Sequence, residues 1–457
     1  MTALAQALGE GVAALQFGQL PPVAVSTAKT GFIDCIAVMV AGCHEEPIEI
    51  LQKTLAAQAG PAEATLYFGE QRMSGPDAAW VNAAAGHVLD YDDFARGHPS
   101  VVIVPALLAE GEVLNASGAD LITAYVAGYE VWMDVVIRER SNYQMKGWHP
   151  TPLIGAIAVA AACAKLRRLD AKGITSAIGL AAAQASGITA SYGTMAKSMQ
   201  VGKAAHTGVM SARLAANGMT ALPEVLDHEQ GFLFAVSPKG DVDLQTVPQI
   251  GKRWHIVEKG LSIKRYPVCY CGHRIIDAAL EVGSGQTLAI DDIESIEVTI
   301  SKIHASILKN HHPATGLAAK FSAEFAAVAS LLAGNVGLQE VNDEFVRRAD
   351  VQTLMRRVKV TQNENYDPDA PGFSLYDQVR VFLKDGRMLE SSQVRHALGN
   401  AKRPLGADDL RRKFLDCIAT GNPALDAARL FRDLQRLETL ASCRSLLGQP
   451  AATAAAA

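Results

Sequence analysis

Apolar residues recur over the first 260 positions at the three-to-four-residue spacing of helices that bury one face or all of their surface. Ala78, Val81, Ala85 and Val88 mark such a run over residues 78–90, and residues 27–43, 101–114 and 119–136 carry others. Residues 153–165 and 173–185 are rich in alanine and glycine, small residues that let helix backbones approach closely. A further helix over 202–217 is closed by Gly218, at a position that favours the left-handed conformation.

The pattern changes near residue 260. Ile296, Val298 and Ile300 alternate with Glu297 and Thr299, and Val358 alternates with Val360, the period of half-buried strands. Val379, Val381 and Leu383 precede Asp385-Gly386, with Met388 and Glu390 beyond, a hairpin signal. A helix over 318–332 sits among these strands. After Arg403-Pro404 helices return at 408–418 and 423–446, and the alanine-rich 451–457 tail is expected to fray. The expected fold is mainly α: a large all-helical domain from both chain ends, residues 1–264 and 396–457, with a smaller α+β lid domain inserted at 265–395.

Composition narrows the function. In 457 residues, 49% are apolar and 19% charged, which excludes a disordered chain. A net charge of −5 gives no basic stripe for phosphates, so no nucleic-acid partner is expected. The apolar runs 101–108 and 153–164 fall short of the roughly 20 residues that span a bilayer, so no membrane span is expected. Met1-Thr2-Ala3-Leu4 carries no basic flank, and seven cysteines, an odd number, sit mostly in apolar runs. Both point to a cytoplasmic chain with reduced thiols.

Signatures for nucleotide cofactors, phosphate loops, helical zinc sites and serine nucleophiles are missing: there is no G-x-G-x-x-G after a strand, no Walker loop, no H-E-x-x-H and no G-x-S-x-G. Two segments look alike instead. Gly97-His98-Pro99-Ser100 and Gly147-Trp148-His149-Pro150-Thr151 each precede an apolar run, with proline at the first helical position and histidine at the cap. A helix start attracts carboxylates and favours neutral imidazole; the plainer alternative is that each histidine caps its helix. Asp90 and Asp93, three apart at a helix end, can share one face, where close carboxylates push one pKa up; a solvated acidic helix end is the alternative. Lys197 lies in a link of small residues and can hold a carboxylate as a point charge, or be an ordinary surface lysine. Cys269-Tyr270-Cys271-Gly272-His273 follows Lys264-Arg265-Tyr266-Pro267. The C-x-C spacing without a second pair does not suit structural zinc, so no metal is expected there. A tyrosine and a histidine at a domain junction fit a substrate cleft better.

Together these segments resemble the MmgE/PrpD family, whose members include 2-methylcitrate dehydratase, cis-aconitate decarboxylase and iminodisuccinate epimerase. The resemblance rests on Gly86-His87-Val88-Leu89-Asp90-Tyr91-Asp92-Asp93, on His98-Pro99-Ser100 with Pro105-Ala106-Leu107-Leu108, and on Gly147-Trp148-His149-Pro150-Thr151. Lys197 with Gly202-Lys203-Ala204-Ala205, Lys264-Arg265-Tyr266-Pro267 with His273, and Lys320-Phe321-Ser322 complete it. It implies catalytic roles for Asp90, Asp93, His98, His149 and Lys197, substrate binding by Lys264, Tyr266 and His273, no metal or organic cofactor, and a homodimer. The implied activity is a dehydratase-like lyase on a small di- or tricarboxylate. The alternatives are an epimerase of a substituted succinate, a cis-aconitate-type decarboxylase, or a carboxylate-binding protein without catalysis. Two departures count against decarboxylation: the short Phe94-Ala95-Arg96-Gly97 loop, and Cys269 where decarboxylase-like members carry histidine.

Overall fold

The computed structural model describes residues 2–58, 60–284, 289–368 and 370–447; the 451–457 tail lies outside them. It divides into two compact units, one of residues 1–261 with 407–457 and one of residues 262–406.

The first unit is mainly helical but not all-helical as expected, since Ala64–Thr65 and Arg72–Met73 pair as two short antiparallel strands and short helices Phe232–Val236 and His255–Glu258 join the longer ones. Its longer helices include α1 (Leu4–Ala14), α2 (Pro22–Ala41), α3 (Glu46–Ala56), α4 (Gly75–Val88), α5 (Pro99–Leu114), α6 (Gly118–Arg138), α7 (Pro150–Leu166), α8 (Ala171–Ala182) and α9 (Ala196–Ala216). α7 packs against α6 and α9, and α4 against α5 and α9. Small residues set these distances: a Cβ on Gly208 would lie 2.4 Å from Val159, and one on Gly202 2.3 Å from the Trp80 carbonyl oxygen.

The second unit carries α10 (His273–Gly283) and α11 (Ala323–Ala333) with β1 (Ile293–Ser301), β2 (Val358–Asn363), β3 (Gln378–Leu383) and β4 (Met388–Glu390). The sheet order is β2-β1-β3-β4. β1 runs parallel to β2, Val298 opposite Val360, and antiparallel to β3, Val298 opposite Val379. Ile296, Val298 and Ile300 are fully buried, as their alternation predicts. β3 and β4 form the Asp385-Gly386 hairpin, where Gly386 takes φ 87°. The 318–332 helix is shorter than expected: Gly316–Ala319 is a separate turn, and Ser322 restarts the chain by accepting the Phe325 N–H at 3.1 Å.

α12 (Ala407–Gly421) and α13 (Ala427–Gln435) belong to the first unit. The expected 423–446 helix is broken, since Arg436 leaves helical geometry at φ −119° and only 3₁₀ turns follow. α12 packs on α2. There Lys413 meets buried Asp34 at 2.6 Å and donates to the Tyr91 carbonyl at 2.8 Å.

One apolar stretch is longer than the two runs weighed in the sequence. By length and composition α2 could cross a membrane, with a mean hydropathy of 1.6 over its best window. Ser26, Thr27, Lys29, Thr30 and Asp34 interrupt its apolar sequence and hid it. Of that window, 67% is buried inside the folded chain.

Removing one partner of a buried ion pair leaves an uncompensated charge, at about 3–5 kcal/mol. Lys413→Ala is therefore expected to lower the unfolding free energy by about that much, and the double variant Asp34→Leu/Lys413→Met to recover most of it. Denaturant titration of the three proteins checks this; equal stability of wild type and Lys413→Ala would contradict it.

Candidate active site

The site is built where four helices of the first unit begin or end, α4 at its end and α5, α7 and α9 at their starts. α4 stops at Val88 because the chain turns back at Asp90, whose φ of 53° is left-handed. Aspartate tolerates that region better than most side chains. The following loop is fastened at both ends. Lys413 holds the Tyr91 carbonyl, and Trp132 Nε1 donates to the Ala95 carbonyl at 2.9 Å. Gly97 has φ 148°, and a Cβ there would lie 2.8 Å from the Trp132 ring, so the loop closes only on glycine.

His98 and His149 are the N-cap residues of α5 and α7, each followed by proline. Neither side chain caps its own helix, so the plain capping alternative does not hold. The helix starts are tied together: the His98 backbone N–H donates to the Thr151 hydroxyl at 3.3 Å.

The rings gather around His87, whose centroid lies 4.8 Å from that of His98 and 6.0 Å from that of His149. Asp92 Oδ2 sits 2.9 Å from His87 Nδ1 and 3.1 Å from His98 Nδ1. His98 Nδ1 also lies 2.7 Å from the Asp93 carbonyl oxygen. His149 Nδ1 meets Gln200 Nε2 at 2.8 Å, and the Tyr192 ring packs edge-on against the imidazole. Lys197 Nζ pairs with Asp90 Oδ1 at 3.2 Å.

Burial decides the charges. It drives the His87 imidazole down to about 4, against the pull of Asp92. His149 is pushed well down by burial and then by His87, Lys197 and His98. Burial alone would raise Asp92, but the two imidazoles against it hold the carboxyl well below its ordinary range. Asp93 goes the other way, raised by burial and by Asp34.

Of the expected residues, Asp90, His98, His149 and Lys197 come together in this cluster. Asp93 does not share a face with Asp90, because the helix has already ended. Its carboxyl turns to the start of α5, where it accepts from the Ser100 hydroxyl and from Ser100 N at 3.3 Å. Lys197 lies not in a link but in the first turn of α9, which begins at Ala196. Lys264, Tyr266 and His273 belong to the second unit and are buried. The Tyr266 hydroxyl donates to Asp277 at 2.6 Å, and the His273 ring packs on Tyr266 and Tyr270. His87, Asp92 and Gln200 were not anticipated. Two histidines flanking three carboxylates within twelve positions signalled the first two; nothing local marks Gln200.

Among the described residues, His87, Asp92 and His98 bring one possible metal-ligating atom each within 4.8 Å of one another, and no such group forms at Cys269, Cys271 and His273.

Residues 6–245 match the MmgE/PrpD N-terminal domain and residues 266–436 the MmgE/PrpD C-terminal domain. The chain belongs to the MmgE/PrpD family. Curated relatives include proteins named cis-aconitate decarboxylase. The Homo sapiens protein is 26% identical over 473 residues, covering 98% of this chain and 95% of its own. The Mus musculus protein is 28% identical, covering 81% and 77%, and one from Aspergillus terreus is 27% identical, covering 86% and 85%.

A histidine kept neutral by burial works against the fold in acid. Between pH 6.5 and about 4 the unfolded chain binds a proton at His87 that the native chain refuses. Stability is therefore lost as pH falls through this window and regained as it rises, by about 3 kcal/mol in total. His149 adds the same sign and Asp93 the opposite one, so the difference between wild type and His87→Gln isolates the effect. Parallel pH dependences of the two unfolding free energies would contradict it.

Proposed function

We propose that the protein is a cofactor-independent lyase acting on a small di- or tricarboxylate, removing a proton from a carbon next to a carboxylate, with loss of water as the leading reaction. The observation that carries this reading is the cluster itself: three buried imidazoles, the Asp90–Lys197 pair and the start of a 17-residue helix gathered in one place. A helix N-terminus and an ammonium group attract a carboxylate. Loss of a neighbouring proton spreads negative charge onto that carboxylate as an enediolate, which the same donors stabilise more strongly than the ground state. The β-hydroxyl then takes up the proton just removed, its C–O bond breaks, and it leaves as water, which completes dehydration.

Decarboxylation is the second reading, favoured by relatives that match across the chain. Loss of CO₂ from an unsaturated tricarboxylate leaves a carbanion that the same donors would hold until a proton returns. Return of the proton on the opposite face, without elimination, is epimerisation.

The test is incubation with hydroxy-, imino- and unsaturated polycarboxylates in D₂O. The expected result is an alkene and water from a hydroxy-polycarboxylate. Release of CO₂ would establish decarboxylation, deuterium at one carbon without elimination would establish epimerisation, and no turnover with tight binding would make this a carboxylate-binding protein.

Acid–base groups and hydrogen-bond donors to a developing anion typically contribute about 10²–10⁴-fold. His149→Ala and Lys197→Ala are each expected to lose turnover on that order with a near-wild-type thermal midpoint. A lowered midpoint with normal turnover per folded molecule would make both residues structural. Chelator treatment is expected to leave turnover unchanged; stoichiometric zinc whose removal abolishes turnover would contradict this.

A further inference from the structure

The two cap histidines look equivalent in sequence, but their partners differ in kind. Among the described residues, His98 Nδ1 faces acceptors, the Asp92 carboxylate at 3.1 Å and the Asp93 carbonyl at 2.7 Å. A ring nitrogen between two acceptors must carry hydrogen. In the neutral ring that leaves the lone pair on Nε2. His149 Nδ1 faces the side-chain amide of Gln200 at 2.8 Å. Which end of an amide faces outward is settled by its other bonds. Gln200 Oε1 accepts the Ile188 N–H at 3.0 Å while its Nε2 donates to the Ile188 carbonyl at 3.2 Å. Flipping the amide would set oxygen against oxygen and N–H against N–H, so the group beside His149 is the NH₂. His149 Nδ1 is therefore the acceptor, and its hydrogen is on Nε2.

We propose that the Asp93 backbone carbonyl, with the Asp92 carboxylate beside it, and the Gln200 amide fix opposite tautomers in the two histidines, making His98 the base and His149 the hydrogen-bond donor, with Asp92 and Gln200 as the positioning side chains. This rests on the proton-transfer reading above and divides its roles. The C–H bond next to the substrate carboxylate breaks and its proton passes to His98 Nε2. The electron pair moves into the carboxylate to give an enediolate. The imidazolium so formed is matched by the Asp92 carboxylate already against its Nδ1–H. The enediolate oxygen accepts from His149 Nε2–H and from the Lys197 ammonium. His149 gives a hydrogen bond rather than a whole proton, since a neutral imidazole that lost its proton would become an anion. His87 donates to the other side of the same Asp92 oxygen, so the carboxylate serves both rings.

The assignment can be read on the full-length protein without a substrate. With ¹⁵N-labelled histidine, NMR near neutral pH is expected to show His98 as the Nδ1–H tautomer and His149 as the Nε2–H tautomer. The same tautomer in both, or a metal-bound Nδ1 in His98, would overturn the proposal. Gln200→Glu places an acceptor beside His149 Nδ1. It is expected to move the hydrogen to Nδ1 and lower kcat about 10²–10⁴-fold, with KM little changed. Asp92→Asn is expected to lower kcat similarly and to shift the acidic limb of its pH profile, which loss of packing alone would not do. A Gln200→Glu protein with the tautomer moved and kcat unchanged would also overturn it. Failure of every substrate in the panel with both tautomers as stated would count against the lyase reading, not this assignment.

Discussion

A single buried carboxylate, that of Asp92, holds two imidazole rings by their Nδ1 atoms, and the cluster is arranged around that contact. The carboxylate is out of water, so it stays charged only because both rings lie against it. The rings in turn are held in plane and direction, His87 by this carboxylate and His98 by it together with the Asp93 carbonyl. None of the three positions is independent: Asp92 reaches both rings only because α4 ends at Val88, the chain reverses at left-handed Asp90, and Gly97 lets the loop close under Trp132.

The same constraint explains why two neighbouring acids fare so differently. Asp92 and Asp93 are adjacent and equally buried, yet one is held low by imidazoles and the other is raised beside Asp34. Asp93 serves the start of α5, where it binds Ser100, and Ser100 lies 2.6 Å from the Tyr125 hydroxyl. Asp93 is thus part of the frame that aims His98, while Asp90 faces Lys197.

Features carried by short-range chemistry were legible in the sequence. Proline after histidine placed both caps, Asp385-Gly386 placed the hairpin, and alternation at Ile296, Val298 and Ile300 placed the inner face of a strand. The mainly helical class followed from the spacing of the first 260 positions. What escaped depends on where a helix stops or on contacts distant in sequence. Asp90 and Asp93 share a face only if the helix continues through them, and a left-handed aspartate is not visible in a string of acids. Lys197 read as part of a link because Gly193 and Ser198 flank it, whereas α9 begins at Ala196. Gln200 and His149 are 51 positions apart, and no local pattern joins them.

Lys413 comes from α12, more than 300 positions after the loop whose Tyr91 carbonyl it holds. On the ribosome, α2, α4 and α5 emerge long before that ammonium group exists. Asp34 must wait, buried without its counter-ion or exposed with α2 undocked, until α12 has been made. The loop bearing Asp90 and Asp92 is therefore among the last parts of the first unit to be fastened. A chain that stops short of α12 can hold most of these helices while its clustered histidines and carboxylates remain unassembled, which couples the forming of the cluster to the synthesis of α12.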